Sequence, residues 1–329
     1  MGEFELLARV REMLPPAGAR VRVGSGDDAA VTVPGGATAT SVDALVDGVH
    51  FRRQRASPRQ IGRKALATAL SDLAAMGAEP GEAYVALGIP GDLDEDGCLE
   101  IVEGMVELAV ATGTTLAGGD VSRCPVLSLT TTVVGHAAEA EDFVTRAGGR
   151  PGDALLLTGE IGAAAAGLLT IERPQAGDGL SPRALARLRS RQLEPQPRLA
   201  AGRALAALGA TAMIDLSDGL GGDAGRLAEA GGAGVRIEVG SVPLAAGVAE
   251  VAEATGREPA ELAIAGGEDY ELLVALPAER IEEARAAVER TGVPLTRVGE
   301  LVDADVVDYV EIRRPDGSLL EPGGFDQLG

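Results

Sequence analysis

Residues 63–80 read RKALATALSDLAAMGAEP, the most continuously apolar helical stretch of the N-terminal half. Ala65, Leu66, Ala69, Leu70, Leu73, Ala74 and Met76 make a helix that is apolar on nearly every side. A helix of that kind is buried rather than laid on a surface. Ser57-Pro58 supplies an N-cap followed by a proline at the first helical position, and Gly77 is a natural stop. Short strand-like runs precede this helix at 21–23, 29–33 and 37–43, the last leading into the polar turn VDALVDGVHF (42–51). After it come a strand at 83–88, a helix at 95–112 stopped by Gly113, and strands at 114–117 and 126–137. The stretch RAGGRPGD (146–153), with three glycines and a proline between strand-like runs, marks the best domain boundary. Beyond it strands are expected at 154–158, 212–215, 234–239, 270–276, 295–299 and 307–313, with helices between them. Strand and helix mix in both halves without strict βαβ alternation, so the expected class is α+β, in two α/β domains at 1–147 and 148–329.

Composition narrows the function classes. Aromatics are 2% of the 329 residues and Trp is absent, so the core must be built from Ala, Val, Leu and Ile. A net charge of −21 repels a polyanion, which argues against a nucleic-acid partner. Cys98 and Cys124 form neither a disulfide framework nor a common zinc spacing. No stretch reaches the roughly 18–20 apolar residues of a membrane span, and the N-terminus lacks a signal peptide's apolar core. The reducing cytoplasm is the expected compartment, with no membrane partner.

Nucleotide signatures of the familiar kinds fail. Gly24-Ser25-Gly26-Asp27-Asp28-Ala29 has dinucleotide spacing, but AAVTVPGG follows instead of a helix. The only lysine, Lys64, follows Arg63 and not a glycine, so there is no P-loop, and protein-kinase signatures are absent. What recurs instead is aspartate at the ends of apolar segments: Asp43, Asp72, Asp120, Asp215 and Asp218, with Asp28 on the glycine loop and Ser41 beside Asp43. Asp72 is costly to bury unless paired or bound to a cation; the alternative is a capped or exposed acid. Asp28 reads equally as part of a plain turn, and Ser217 with Asp218 as ordinary helix-capping chemistry. Oxygen ligands without a His or Cys cluster select Mg²⁺, and several such acids suggest more than one ion, as in phosphoryl transfer. GGEDYELL (266–273) is a glycine turn entering a strand, readable as a hairpin-like turn with solvated acids. His50 and Arg146 are uninformative alone.

Taken in order, GSGDDAAV (24–31), TSVDALVDGVHF (40–51), RKALATALSDLAAMGAEP, LAGGDVSR (116–123), TRAGGRPGD (145–153), AMIDLSDGL (212–220) and GGEDYELL resemble the thiamine-monophosphate kinase family. That family belongs to the superfamily of aminoimidazole-ribotide synthetase and selenophosphate synthetase. The resemblance implies an N-terminal domain whose sheet forms a barrel across a homodimer, and a C-terminal domain completing a cleft. ATP and thiamine monophosphate would bind there, bridged by several Mg²⁺. It further implies Asp28, Ser41, Asp43, Asp72, Asp120, Asp215 and Asp218 as metal ligands. Gly119, Asp120, Arg146 and Ser217 would be nucleotide contacts; His50 and Glu268 would be substrate contacts, with Phe325 stacking on the thiamine. Val42 replaces a frequent threonine, which removes one side-chain oxygen.

The implied reaction passes the ATP γ-phosphoryl group directly to thiamine monophosphate, with no covalent enzyme intermediate. Its acceptor phosphate, with a second pKa of about 6, is already ionised at neutral pH and needs no general base. A selenophosphate synthetase would want a reactive cysteine near the glycine loop, and residues 1–40 hold none; the hydrogenase-maturation relative needs a C-terminal cysteine, where this sequence reads FDQLG. A non-enzymatic cation- or nucleotide-binding protein is the reading from a different class.

Overall fold

In the computed structural model, residues 3–307 and 309–324 are described. Contacts divide the chain into two units, 1–73 with 78–141, and 74–77 with 142–329.

The first unit opens with helix α1 (Glu3–Met13) and a small antiparallel ribbon of β1 (Val21–Val23) and β2 (Val31–Thr32). Next come β3 (Ala37–Val46), α2 (Pro58–Ala75), β4 (Glu79–Ile89), α3 (Glu95–Thr112), β5 (Thr115–Arg123) and β6 (Ser128–Ala137). The sheet runs β3-β6-β4-β5; β4 and β5 are parallel, joined through α3, and the other pairs are antiparallel.

Helix α2 starts as its residues dictate. Ser57 Oγ accepts from Gln60 N (3.2 Å) while Gln60 Oε1 accepts from Ser57 N (3.1 Å), a reciprocal capping box. Gly77, at φ 67, ends it. Leu66, Leu70 and Leu73 are fully buried. Helices α2 and α3 meet backbone to backbone: a Cβ on Gly62 would stand 1.8 Å from Ile101 O, and one on Gly104 1.9 Å from Arg59 O. No other residue fits either place without parting the helices.

Alternation sorts the sheet's faces. Leu45, Leu129 and Val133 are buried on the face where Gly135 meets Leu73 of α2, and Ser41 and Asp43 share that face. Thr38, Thr40, Val42 and Ala44 lie exposed on the other. Strand β5 departs from expectation by running to Arg123 instead of stopping at 117, so Asp120 lies inside a strand. The strand expected from the sequence stops short of the Gly118-Gly119 pair. Here Gly119 is needed because a Cβ would fall 2.1 Å from Val85 O.

The second unit follows the order β7 (Ala154–Thr158), α4 (Ala163–Glu172), α5 (Pro182–Leu193), α6 (Leu199–Ala207), β8 (Ala212–Asp215) and α7 (Leu220–Gly231). It continues with β9 (Gly234–Glu238), α8 (Val248–Ala254), α9 (Pro259–Ala265), β10 (Leu272–Leu276), α10 (Ile281–Glu289), β11 (Leu295–Val302), β12 (Val310–Arg313) and β13 (Leu319–Leu320). Its seven-stranded sheet has the order β13-β12-β9-β11-β7-β10-β8. Strands β7, β8 and β10 are buried at every residue, as unbroken apolar runs require when both faces are covered. Both units are α+β. Among the described residues no helix is long and apolar enough to cross a membrane.

Candidate active site

In the first unit the structure gathers Ser41, Asp43 and Asp72. The two-residue spacing puts Ser41 and Asp43 on one face of β3, and Asp72 reaches them from α2, where Ser41 Oγ donates to Asp72 Oδ2. Asp72 is thus half-buried and hydrogen-bonded at the edge of the apolar helix face. Burial first, and the charge of Asp72 second, push the Asp43 carboxyl up to about 6.

Asp120 is exposed on β5 and accepts from Ser122 Oγ at 2.8 Å. With Gly119 and Ser25 of the glycine loop it borders a cavity of about 90 Å³ whose other walls include Leu6, Val10 and Met105. Asp28 lies exposed on that loop, and its N–H donates to Asp27 Oδ1 at 2.8 Å.

His50 follows β3 in a turn that closes on itself. Its N–H donates to Val46 O (3.0 Å), and Val46 N donates to His50 Nδ1 (3.1 Å). Nδ1 is therefore an acceptor, and in the neutral ring the proton sits on Nε2. Asp47 and Arg53 hold the same turn: Arg53 donates to both Asp47 oxygens (3.1 and 3.0 Å) and to Asp92 Oδ2 (2.7 Å). This brace lies outside the sequence reading; the Asp-Gly turn at 47–48 was its only signal.

In the second unit the segments after β8 and before β10 run side by side. Glu268 N donates to Ser217 O (2.8 Å), Tyr270 N to Leu216 O (2.9 Å) and Leu216 N to Glu271 O (2.8 Å). Asp215, Ser217, Asp218 and Glu268 are thereby brought together. A Cβ on Gly267 would meet Ser217 O at 2.4 Å, which is why the motif needs a glycine there. Ser217 is not a helix cap: α7 begins at Leu220 behind Gly219, whose φ of 101 suits glycine. Asp218 accepts from Arg226 at 2.6 Å, and Arg226 also pairs with buried Asp223 at 2.5 Å. Asp218 therefore carries a cationic partner from its own unit, which a metal would have to displace or share.

The acids of GGEDYELL divide in a way composition does not show. Asp269 and Glu271 are buried, not solvated. Asp269 accepts from Gly162 N (2.6 Å) and Ala164 N (3.1 Å) at the start of α4, yet burial raises its carboxyl to about 7. Glu271 takes Arg191 (2.5 Å), Arg198 (2.6 Å) and Thr158 (2.8 Å). Arg146 is exposed and sits past Thr145, whose carbonyl accepts from Met213 N (3.2 Å) on β8. Phe325 lies outside the described residues.

Among the described residues no three His, Cys, Asp or Glu side chains stand close enough to hold an ion alone. A divalent cation nevertheless suits the Ser41, Asp43 and Asp72 group. Its donors are all oxygen, and its two carboxylates burden each other. Directly opposite Asp43 on β6, the buried Thr131 hydroxyl has no hydrogen-bond partner. A hard cation and its water would relieve both.

Comparison with known proteins adds the following. The family described as AIR synthase related protein, N-terminal domain, matches residues 26–137, and AIR synthase related protein, C-terminal domain, matches 150–310. Thiamine-monophosphate kinase of Escherichia coli (strain K12) is 36% identical, over 99% of this chain and 98% of that protein. The Mycobacterium tuberculosis (strain ATCC 25618 / H37Rv) enzyme of that name is 38% identical over 83% of this chain and 80% of its own. The crystal structure of thiamine-monophosphate kinase from Stenotrophomonas maltophilia K279a superposes with a TM-score of 0.82 at 32% identity, covering 97% of this chain and 98% of that one. AaThiL complexed with AMPPCP and TMP superposes at 0.76 with 29% identity, over 98% and 96%.

Proposed function

We infer the activity from kinship, for this chain belongs to the thiamine-monophosphate kinase family of AIR synthase related proteins. It transfers the γ-phosphoryl group of ATP to thiamine monophosphate, giving thiamine diphosphate and ADP. The observation that carries this reading is identity to the Escherichia coli enzyme along essentially the whole of both chains. A solved relative complexed with AMPPCP, an ATP analogue, and TMP supports the same pair of substrates.

Asp28, Ser41, Asp43, Asp72 and Asp120 in the first unit, and Asp215 and Asp218 in the second, are our candidates for holding Mg²⁺. When bound, Mg²⁺ neutralises phosphate charge so that two polyanions can approach. Ser41 orients the Asp72 carboxylate through its hydroxyl. Gly119, Asp120, Arg146 and Ser217 are assigned to the nucleotide, and His50, Glu268 and Phe325 to thiamine monophosphate. His50 keeps its proton on Nε2 and donates it as a hydrogen bond; in that tautomer Nε2 has no lone pair with which to act as a base. None is needed, since the acceptor phosphate, with a pKa of about 6, is already ionised. Transfer is direct and in line.

Residues 1–147 serve ATP, metal and dimerisation in this reading, and 148–329 supply the remaining contacts, in the cytoplasm. The test is purified protein with ATP, Mg²⁺ and thiamine monophosphate, followed for ADP and thiamine diphosphate. Thiamine itself, lacking the phosphate, should not turn over; equal turnover of thiamine would overturn the assignment.

A further inference from the structure

The segment that carries Glu268 is held more firmly than a surface turn requires. Glu268 and Tyr270 both have positive φ, 67 and 51, which side-chain-bearing residues adopt only when their surroundings impose it. The surroundings here do so. Asp269 is tied to the first turn of α4, Glu271 to two arginines and a threonine, and the backbone on either side to 216–217. These anchors act on the backbone around Glu268. The side chain has a contact as well: Gln192 Nε2, on α5, donates to Glu268 Oε2 at 2.5 Å. Gln192 is only 4% exposed, an unusual place for an amide side chain.

We propose that Gln192 is a positioning residue for the substrate, holding the Glu268 carboxylate in its binding orientation. The choice of donor supports this. Arg191, its neighbour on the same helix, and Arg198 are directed to Glu271, whose charge they cancel inside the protein. Gln192 instead gives Glu268 a neutral amide, a donor that adds no counter-charge of its own beside the cationic thiazolium ring of thiamine monophosphate. A preset carboxylate loses no rotamer freedom when the ligand arrives, so the gain appears in affinity for that ligand alone. The proposal rests on the reading that Glu268 contacts thiamine monophosphate.

The experiment is a two-by-two cycle of Gln192→Leu and Glu268→Gln, with Gln192→Met as a second apolar replacement should the leucine variant fold poorly. Calorimetric Kd and steady-state KM for thiamine monophosphate, KM for ATP, kcat and the melting curve are measured for each. Expected for Gln192→Leu or Gln192→Met is a threefold to tenfold, order-of-magnitude rise in Kd and KM for thiamine monophosphate. KM for ATP and kcat should stay within about twofold, and the effect should vanish in the Glu268→Gln background. An unchanged thiamine-monophosphate Kd, an equal loss in the Glu268→Gln background, or a loss shared with ATP would overturn the proposal. Failure of the underlying reading shows separately, as a Glu268→Gln single variant that binds thiamine monophosphate like the parent, and it overturns the proposal with it.

Discussion

At the scale of single residues, the first unit's chemistry turns on the company Asp72 keeps. Its carboxylate takes the Ser41 hydroxyl and raises the proton affinity of Asp43. Asparagine in its place keeps the shape and removes the charge. On the proposal that Asp72 holds Mg²⁺, Asp72→Asn should lose on the order of 10–100-fold or more in activity, because the amide lacks the charge that binds the ion. With the like-charge neighbour gone, the metal-free variant should melt as high as the parent or a few degrees higher. Melting curves in chelator and rates across a Mg²⁺ titration check both; parental rates at limiting Mg²⁺ would show that Asp72 is no ligand. For His50 the expectation is of another kind. Asparagine can accept from Val46 N and still present an amide donor, so His50→Asn should raise the thiamine-monophosphate KM while kcat falls far less than the roughly 10²–10⁴-fold of a lost general base. A kcat collapse of that size with substrate affinity unchanged would restore the histidine as a base.

At the scale of elements, the start of α4 contains a titrating switch in stability. Asp269 receives two backbone N–H groups there, but burial outweighs them and its carboxyl is raised to about 7. Between its ordinary value near 4 and about 7, the folded chain holds a proton that the unfolded chain has released. Stability from this group is therefore full at low pH and is lost as pH rises through 7. Asp269→Asn cannot titrate. The parent's stability advantage over Asp269→Asn should shrink by on the order of 1–3 kcal/mol between pH 5 and pH 8, measured by urea unfolding of both proteins. A constant gap would mean that Asp269 stays ionised throughout.

At the scale of the whole molecule, the four-stranded sheet of the first unit is open, with β3 and β5 at its edges. Its uncovered face carries Thr38, Thr40 and Val42, the last 59% exposed. Open edges beside such a face call for a cover. We expect a homodimer joined through this sheet by self-complementary contacts. Light scattering should give twice the chain mass at micromolar concentration, and a monomeric mass would rule it out.

The class, the order of elements and the family are legible in the amino-acid sequence, because these depend on local signals. Ser57-Pro58 and Gly77 mark the ends of α2, continuous apolar runs make β7 and β10, and seven motifs in order carry the kinship. Boundaries failed where a strand ran on through glycines of close approach, as at Gly119, and where Ser217 resembled a cap that Gly219 supplies. Which acids are buried, and which groups answer them, emerges once the chain is folded. Nothing in the order Glu268-Asp269-Tyr270-Glu271 says that the second and fourth point inward to a helix start and two arginines, while the first meets Gln192. Those partners lie some 70 to 110 residues away in the chain. Burial and electrostatic pairing are set by distance in space, which local propensity does not encode.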